Sequence, residues 1–218
     1  MKPREKILSA RLRSLYKKYN LDVKQLSNAV EIVIFGSWSV GAHREDSDLD
    51  VLLVGHGKRV KRMDLDIIVK SVEECRGRKW LGSELANHIA SYGIWLTGKG
   101  EWRSDVFTSQ EAKRFKRRLI VARTRGLEKA WNHFGEIYRR KHVTKLRRDL
   151  QRLVYLSEER AVPPTVFLDR EWSEVPDPVL ELERIVHAFD SPLLVNSRQF
   201  ALFKRLFRRD WLQAKSAC

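Results

Sequence analysis

Hydrophobic and polar positions follow two different periods along this chain. Residues 3–19 place leucine and tyrosine side chains three or four positions apart with Lys and Arg between them, which predicts an amphipathic helix. The apolar run at 32–35 is typical of a buried strand. Three later segments have the alternation or the length of strands and are predicted to join the same sheet: 48–54, 63–69 and 94–97.

Helical periodicity dominates the chain after about residue 105. Thr108-Ser109-Gln110-Glu111 has the form of a capping box, and the pattern that follows predicts a long helix with Phe115 on its inward face and Lys116 on its basic, solvent-facing side. Residues 161–177 are predicted to be irregular. Further helices are predicted at 145–157, 177–189 and 197–213.

These patterns predict an α+β protein with two domains. Residues 1–105 are expected to form a small mixed β-sheet with helices on one face. Residues 106–218 are expected to form an all-helical, bundle-like domain. No run of 18 apolar residues is present, so no membrane span is expected, and the N-terminus lacks the apolar core of a signal peptide. The protein is therefore expected to be cytoplasmic.

Charge narrows the range of partners. The formal net charge is +15, and the excess of Lys and Arg is larger after residue 105 than before it. A basic protein of this kind favours a polyanionic partner such as a nucleic acid or a nucleoside triphosphate. The sequence has two cysteines, Cys75 and Cys218, which argues against a disulfide framework and against a cysteine-rich metal site.

Aspartates cluster in the strand-like segments. Asp48 and Asp50 are two positions apart and therefore share one face of a strand. Asp64 and Asp66 share a face of the next strand, and either one could join the first pair if the two strands pair antiparallel. Carboxylates held this close repel one another unless a cation lies between them. A divalent metal ion such as Mg²⁺, which binds carboxylate oxygens, is the expected cation.

The order of these residues resembles the nucleotidyltransferase superfamily related to DNA polymerase β. A hydrophobic residue and the Gly36-Ser37 pair are followed by ten residues, then by Asp48-x-Asp50, then by a third aspartate on a later strand. The resemblance spans roughly residues 30–100 and includes the minimal and antibiotic nucleotidyltransferases, whose short form Ser47 also fits.

The resemblance implies a function for each of these residues. Gly36, Ser37 and Ser47 would bind the triphosphate. Asp48, Asp50 and Asp66 would hold two Mg²⁺ (or Mn²⁺) ions and act in catalysis. The substrate would be ATP or another nucleoside triphosphate, and AMP would pass to a hydroxyl of a protein, an RNA or a small molecule with release of pyrophosphate.

Two other functions remain open from the sequence. One is an antibiotic nucleotidyltransferase, which the basic helical half disfavours because its substrates are cationic. The other is a catalytically silent nucleic-acid-binding or antitoxin-like module, which the complete set of aspartates disfavours. The pattern does not indicate an oligomeric state.

Overall fold

The computed structural model describes residues 2–130, 133, 135–177, 180–181, 205, 208–209, 211–212 and 215. The chain divides into two compact units, Met1–Ser109 and Gln110–Cys218. The helices predicted at 177–189 and 197–213 fall mostly outside the described residues. No helix in the described part of the chain is both long and apolar enough to cross a lipid bilayer.

The first unit combines a five-stranded sheet with six short or medium-length α-helices. The strands are β1 (Glu31–Phe35), β2 (Leu49–Val54), β3 (Val60–Arg62), β4 (Leu65–Lys70) and β5 (Ile94–Thr97). The helices are α1 (Pro3–Lys18), α2 (Lys24–Ser27), α3 (Gly36–Val40), α4 (Val72–Arg76), α5 (Arg78–Leu81) and α6 (Glu84–Tyr92), and a 3₁₀ turn follows at Glu101–Asp105. The predicted α+β class with a mixed sheet is therefore confirmed.

The strand order is β3-β4-β2-β1-β5, and the pairing of β2 with β4 is parallel. The expectation that these two strands pair antiparallel is wrong. The reason is β3, a three-residue edge strand that the sequence pattern is too short to reveal. It returns the chain antiparallel to β4, so that β4 can insert between β3 and β2 and run in the direction of β2.

Helices cover both faces of the sheet, so the expectation that they lie on one face is wrong. Because strand side chains alternate between faces, two separate cores form. Helix α1 packs on the face that carries Ile34, Val51 and Ile67. Helices α4, α5 and α6 pack on the opposite face, against Phe35 and Leu52 among others.

Glu31 is a buried carboxylate that connects the start of β1 with β5 and with the segment that follows β5. It is 7% exposed and accepts hydrogen bonds from Trp95 Nε1 at 3.2 Å, from Trp102 Nε1 at 3.0 Å and from the Gly100 backbone N–H at 3.0 Å. Removing a shared acceptor leaves several buried donors unpaired, and each orphaned donor carries a desolvation penalty.

We expect Glu31→Ala to lower the free energy of unfolding by about 2–4 kcal/mol because three donors lose their acceptor together. Urea unfolding followed by tryptophan fluorescence measures this. Glu31→Gln, which keeps one acceptor oxygen, should lose less. Glu45→Ala, at an exposed position, should stay within about 0.5 kcal/mol of wild type. Equal stability of the Glu31→Ala and Glu45→Ala variants would contradict the assignment.

The described part of the second unit is helical. It contains α7 (Gln110–Ala130), α8 (Glu136–Ser157) and α9 (Thr165–Glu174), which confirms a helical C-terminal region. Helix α8 begins nine residues before the predicted start at 145. Helix α9 lies within the segment 161–177, so the expectation of an irregular connection there is wrong.

The inward face of α7 also differs from the prediction. Phe115 is 59% exposed, whereas Lys116, Ile120 and Thr124 are buried at four-residue intervals. Lys116 Nζ lies 3.2 Å from Asp149 of α8, and both side chains are almost fully buried. A lysine can occupy an inward position because its aliphatic stem packs while its ammonium group meets a carboxylate.

Candidate active site

Asp50 and Asp66, two of the candidate acids, lie in one row with Lys61 across three adjacent strands. Asp50 of β2 is the register partner of Asp66 in β4, and Asp66 is the register partner of Lys61 in β3. Both aspartates stand near the start of their strands, so only a parallel pairing brings them together. An antiparallel pairing would have placed Asp66 near the far end of β2.

Lys61 provides the positive charge nearest to these carboxylates in the described structure. Its Nζ donates a hydrogen bond to Asp66 Oδ2 and lies 3.7 Å from Asp48 Oδ2. The hydrogen bond with Asp66 raises the pKa of Lys61 above its usual range, so the ammonium group is charged at neutral pH. Lys61 was not among the residues predicted from the sequence. Its position opposite Asp66 becomes evident only when β3 is paired with β4.

Asp50 has a strongly raised pKa. Burial, and then the negative charges of Asp48 and Asp66, raise the pKa of Asp50 to about 7, while Lys61 opposes the shift. A buried carboxyl group that is close to two others ionises with difficulty unless a cation stabilises it. Perturbation of this kind is frequent where acids serve a function.

Gly36 packs directly against Asp50. Its φ angle is +71°, and a Cβ atom built at this position would lie 2.3 Å from Asp50 Oδ2 and 3.2 Å from its Cγ. Phe35, the last residue of β1, is the register partner of Asp50, which explains why the next residue of the chain reaches the carboxylate. Only glycine fits this backbone conformation and this space. Ser37 follows, partly buried, in the first turn of α3.

The loop between α3 and β2 is organised by Trp38 and leads directly to Asp48. The indole ring stacks on His43 with centroids 3.5 Å apart, and its Nε1 donates to the Ser47 carbonyl at 3.2 Å. The Ser47 hydroxyl accepts a hydrogen bond of 2.8 Å from the Arg44 backbone N–H. Ser47 thus shapes this loop, and its predicted contact with a triphosphate stays a prediction.

Asp64 is held away from the other acids. It occupies the turn between β3 and β4, where Lys18 Nζ donates to Oδ2 at 2.7 Å and the Tyr19 hydroxyl donates to Oδ1. These hydrogen bonds, that of Lys18 first, hold the pKa of Asp64 below its usual range. Helix α1, which carries Lys18, packs on the sheet face opposite to that of Asp50. The structure therefore brings Asp66, and not Asp64, beside Asp50.

We expect Asp66→Asn to reduce the nucleotide transfer that the sequence resemblance implies by at least about a hundredfold, because it removes a carboxylate next to Asp50. Asp64→Asn should change the transfer rate by less than about threefold and should instead lower stability slightly by weakening the contacts with Lys18 and Tyr19. Steady-state rates and urea unfolding of both variants measure the two effects. A larger loss of rate in Asp64→Asn would assign the third acid to that position.

The donor atoms suit a hard divalent cation. Asp66 Oδ1 is buried and has no hydrogen-bond partner among the described residues, which leaves a carboxylate oxygen for another ligand. In the described part of the chain, however, no three His, Cys, Asp or Glu side chains converge as a metal-binding group. The ammonium group of Lys61 contacts Asp66 Oδ2 and lies 3.7 Å from Asp48 Oδ2. The carboxylate chemistry fits Mg²⁺ or Mn²⁺ once that group moves.

A mixed sheet with a Gly-Ser bend after its first strand and aspartates at the start of two parallel neighbours has the organisation of a nucleotidyltransferase domain. Comparison with protein families agrees, because residues 16–96 match the model of the nucleotidyltransferase domain. The resemblance inferred from the sequence is thereby confirmed for this part of the chain. Residues 16–96 of the chain are thus similar to a nucleotidyltransferase domain.

Comparisons with whole proteins add little to this result. The search of curated proteins gave no match. One solved structure with similarity to this chain is described as the crystal structure of a toxin-antitoxin with AMP-PNP. It is 15% identical, the match covers 50% of this chain and 94% of that chain, and the TM-score is 0.26. A TM-score of this size does not establish a common fold.

Proposed function

We propose that this protein transfers a nucleoside monophosphate, AMP from ATP in the first instance, to a hydroxyl group of an acceptor and releases pyrophosphate. The observation that carries the proposal is the alignment of Asp50 with Asp66 on neighbouring parallel strands, with Asp48 within the same cluster and Gly36 packed against Asp50. The match of residues 16–96 to a nucleotidyltransferase domain supports it.

Each residue of the cluster has a distinct task in this proposal. Asp48 and Asp50 would bind both of two Mg²⁺ or Mn²⁺ ions, and Asp66 would bind the one nearest the acceptor. When bound, the metal ions neutralise the triphosphate and lower the pKa of the acceptor hydroxyl. Burial of Asp50 and the proximity of the other acids give the site a strong preference for a cation.

The chemical step is an in-line displacement at phosphorus. The acceptor oxygen attacks the α-phosphorus of the nucleotide, and the bond between this phosphorus and the α–β bridging oxygen breaks. The hydroxyl proton passes to a carboxylate, for which Asp66 is the candidate because its Oδ1 has no hydrogen-bond partner among the described residues. Pyrophosphate leaves with the bridging oxygen. Such reactions depend mainly on positioning and charge neutralisation.

The triphosphate would be bound where the chain turns from β1 into α3. Gly36 lets the backbone approach a ligand closely because it has no side chain, and Ser37 supplies a hydroxyl and a backbone N–H next to it. The acceptor would be an RNA, a protein or a small molecule. Lys58 and Arg59, two exposed basic residues that shortly precede Lys61 in the chain, favour an acceptor that carries negative charge.

The decisive experiment compares the fate of two labels. The protein is incubated with Mg²⁺ and total RNA or cell lysate, and the ATP carries ³²P at either the α- or the γ-phosphate. We expect the α-label to enter an acceptor and the γ-label to appear in pyrophosphate. Asp48→Asn should abolish both results. Transfer of the γ-label would identify a phosphotransferase, and absence of transfer from all four α-labelled nucleotides to any acceptor would overturn the proposal.

A further inference from the structure

Lys61 occupies the place among the candidate acids where a cation is needed. Its ammonium group contacts Asp66 Oδ2 and lies 3.7 Å from Asp48 Oδ2. The contact is built into the sheet, because Lys61 stands directly opposite Asp66 in the β3–β4 register and points to the same side. A divalent ion held by Asp48 and Asp66 would have to share this position with the ammonium group.

We propose that Lys61 is a displaceable internal cation, which neutralises Asp48 and Asp66 when the site is free of metal and competes with the divalent ion for their oxygens. The inference rests on the proposed function in that it treats these aspartates as metal ligands. It adds a property that the proposed function does not contain, namely that the chain itself limits its affinity for metal in the absence of nucleotide.

The surroundings of Lys61 allow the side chain to leave the acids. It is 62% exposed and belongs to β3, a three-residue strand at the edge of the sheet. Lys116 offers a contrast, because its ion pair with Asp149 is 5% and 2% exposed and cannot open without disturbing the packing of α7 on α8. An exposed lysine can rotate into water, where its charge is well solvated.

Competition follows from the charges involved. Lys61 contacts one oxygen of each of the two carboxylates that the divalent ion would also bind, and the ion and the ammonium group repel each other at such short separations. Metal binding therefore includes the loss of the Lys61 contacts. Because these contacts are partly exposed and screened by solvent, their loss weakens metal binding by about tenfold and does not prevent it.

The test measures Mn²⁺ binding without nucleotide, by calorimetry and by the loss of the free-Mn²⁺ electron paramagnetic resonance signal at low ionic strength. Lys61→Met and Lys61→Gln remove the charge, and we expect both to bind Mn²⁺ about tenfold more tightly than wild type. Lys61→Arg keeps the charge and should stay within about threefold of wild type. Lys58→Met removes an equal charge from an exposed position two residues before β3 and should change affinity less than about twofold.

The outcomes separate this inference from the proposed function. Binding of Mn²⁺ to wild type that Asp50→Asn abolishes would support the proposed site. If both neutral Lys61 variants then bind Mn²⁺ no more tightly than wild type, the inference about Lys61 is wrong and the proposed site stands. If neither wild type nor the neutral variants show binding that depends on Asp50, both are wrong. Equal gains in Lys58→Met and Lys61→Met would also overturn the inference, because the effect would then be one of general charge.

A second measurement applies if a neutral variant is poorly folded. Thermal unfolding with and without Mg²⁺ reports metal affinity through the rise in melting temperature. We expect this rise to be larger in Lys61→Gln than in wild type, with a lower melting temperature than wild type in chelator, where the acids lack a counter-cation. The same rise in the two proteins would contradict competition.

Discussion

Replacing Asp50 with asparagine is expected to lower nucleotide transfer by a factor of about 10³ or more, while leaving the protein folded. Asp50 is the register partner of Asp66, and its burial together with the charges of Asp48 and Asp66 raises its pKa to about 7, so that a bound cation would stabilise its charged form. An amide oxygen binds Mg²⁺ far more weakly than a carboxylate does. Steady-state rates with α-labelled ATP measure the loss.

The same substitution should stabilise the metal-free protein at high pH. The pKa of Asp50 is about 7 in the folded protein, against an ordinary value of 3.8. The folded state therefore binds the proton more tightly than the unfolded chain does. Wild-type stability should fall as the pH rises from about 4 to about 7, and should then level off. The asparagine side chain has no such proton to lose, so the Asp50→Asn variant should lack this slope.

Urea unfolding in the presence of a chelator at pH 5 and pH 8 measures the difference. At pH 8 we expect Asp50→Asn to be more stable than wild type by up to about 4 kcal/mol, the free energy that corresponds to the pKa shift. Asp46→Asn, at an exposed position of the preceding loop, is the control and should follow wild type in both rate and stability. An Asp50→Asn variant that is inactive and also less stable at pH 8 would indicate a structural role for this carboxylate.

Short-range patterns were sufficient to select candidate residues for the site, and their roles in binding and catalysis stay predictions. Alternation in β2 places Asp48 and Asp50 on one face, and the Gly36-Ser37 pair marks the end of β1. The choice between Asp64 and Asp66 required the structure, because both have the same parity in the sequence. The turn before β4 directs Asp64 to Lys18 and Tyr19, and no periodicity predicts the direction of a turn residue.

Contacts between residues far apart in the chain could not be predicted from short-range sequence patterns. The parallel pairing of β2 with β4 depends on β3, whose three residues are too few for a pattern. The position of Lys61 opposite Asp66 follows from that pairing and was missed with it. In α7, the inward position of Lys116 depends on Asp149, which lies 33 residues further along the chain. Hydrophobic periodicity assigns lysine to the solvent-exposed face of a helix. The predicted inward face of α7 was therefore wrong.

Gly36→Ala is the second substitution for which we expect a large effect, a loss of transfer of about a hundredfold or more. The added methyl group would lie 2.3 Å from Asp50 Oδ2, a distance that no carbon–oxygen contact tolerates. The carboxylate, the backbone or both must move, and a displacement of about 1 Å at a catalytic group is enough to cost this factor. A left-handed backbone conformation adds about 1 kcal/mol of strain for alanine.

Gly41→Ala is the matched control for this substitution. Gly41 ends the same short helix with a nearly equal φ of +75°, and a Cβ atom there would lie 3.0 Å from Arg4 Nη2, the end of a flexible side chain. Both variants should therefore lose about 1 kcal/mol of unfolding free energy from the backbone, but only Gly36→Ala should lose transfer and acid-dependent Mn²⁺ binding. Equal losses in the two variants would show that the glycine serves the turn alone. A selective loss in Gly36→Ala would show that its missing side chain makes room for the carboxylate of Asp50.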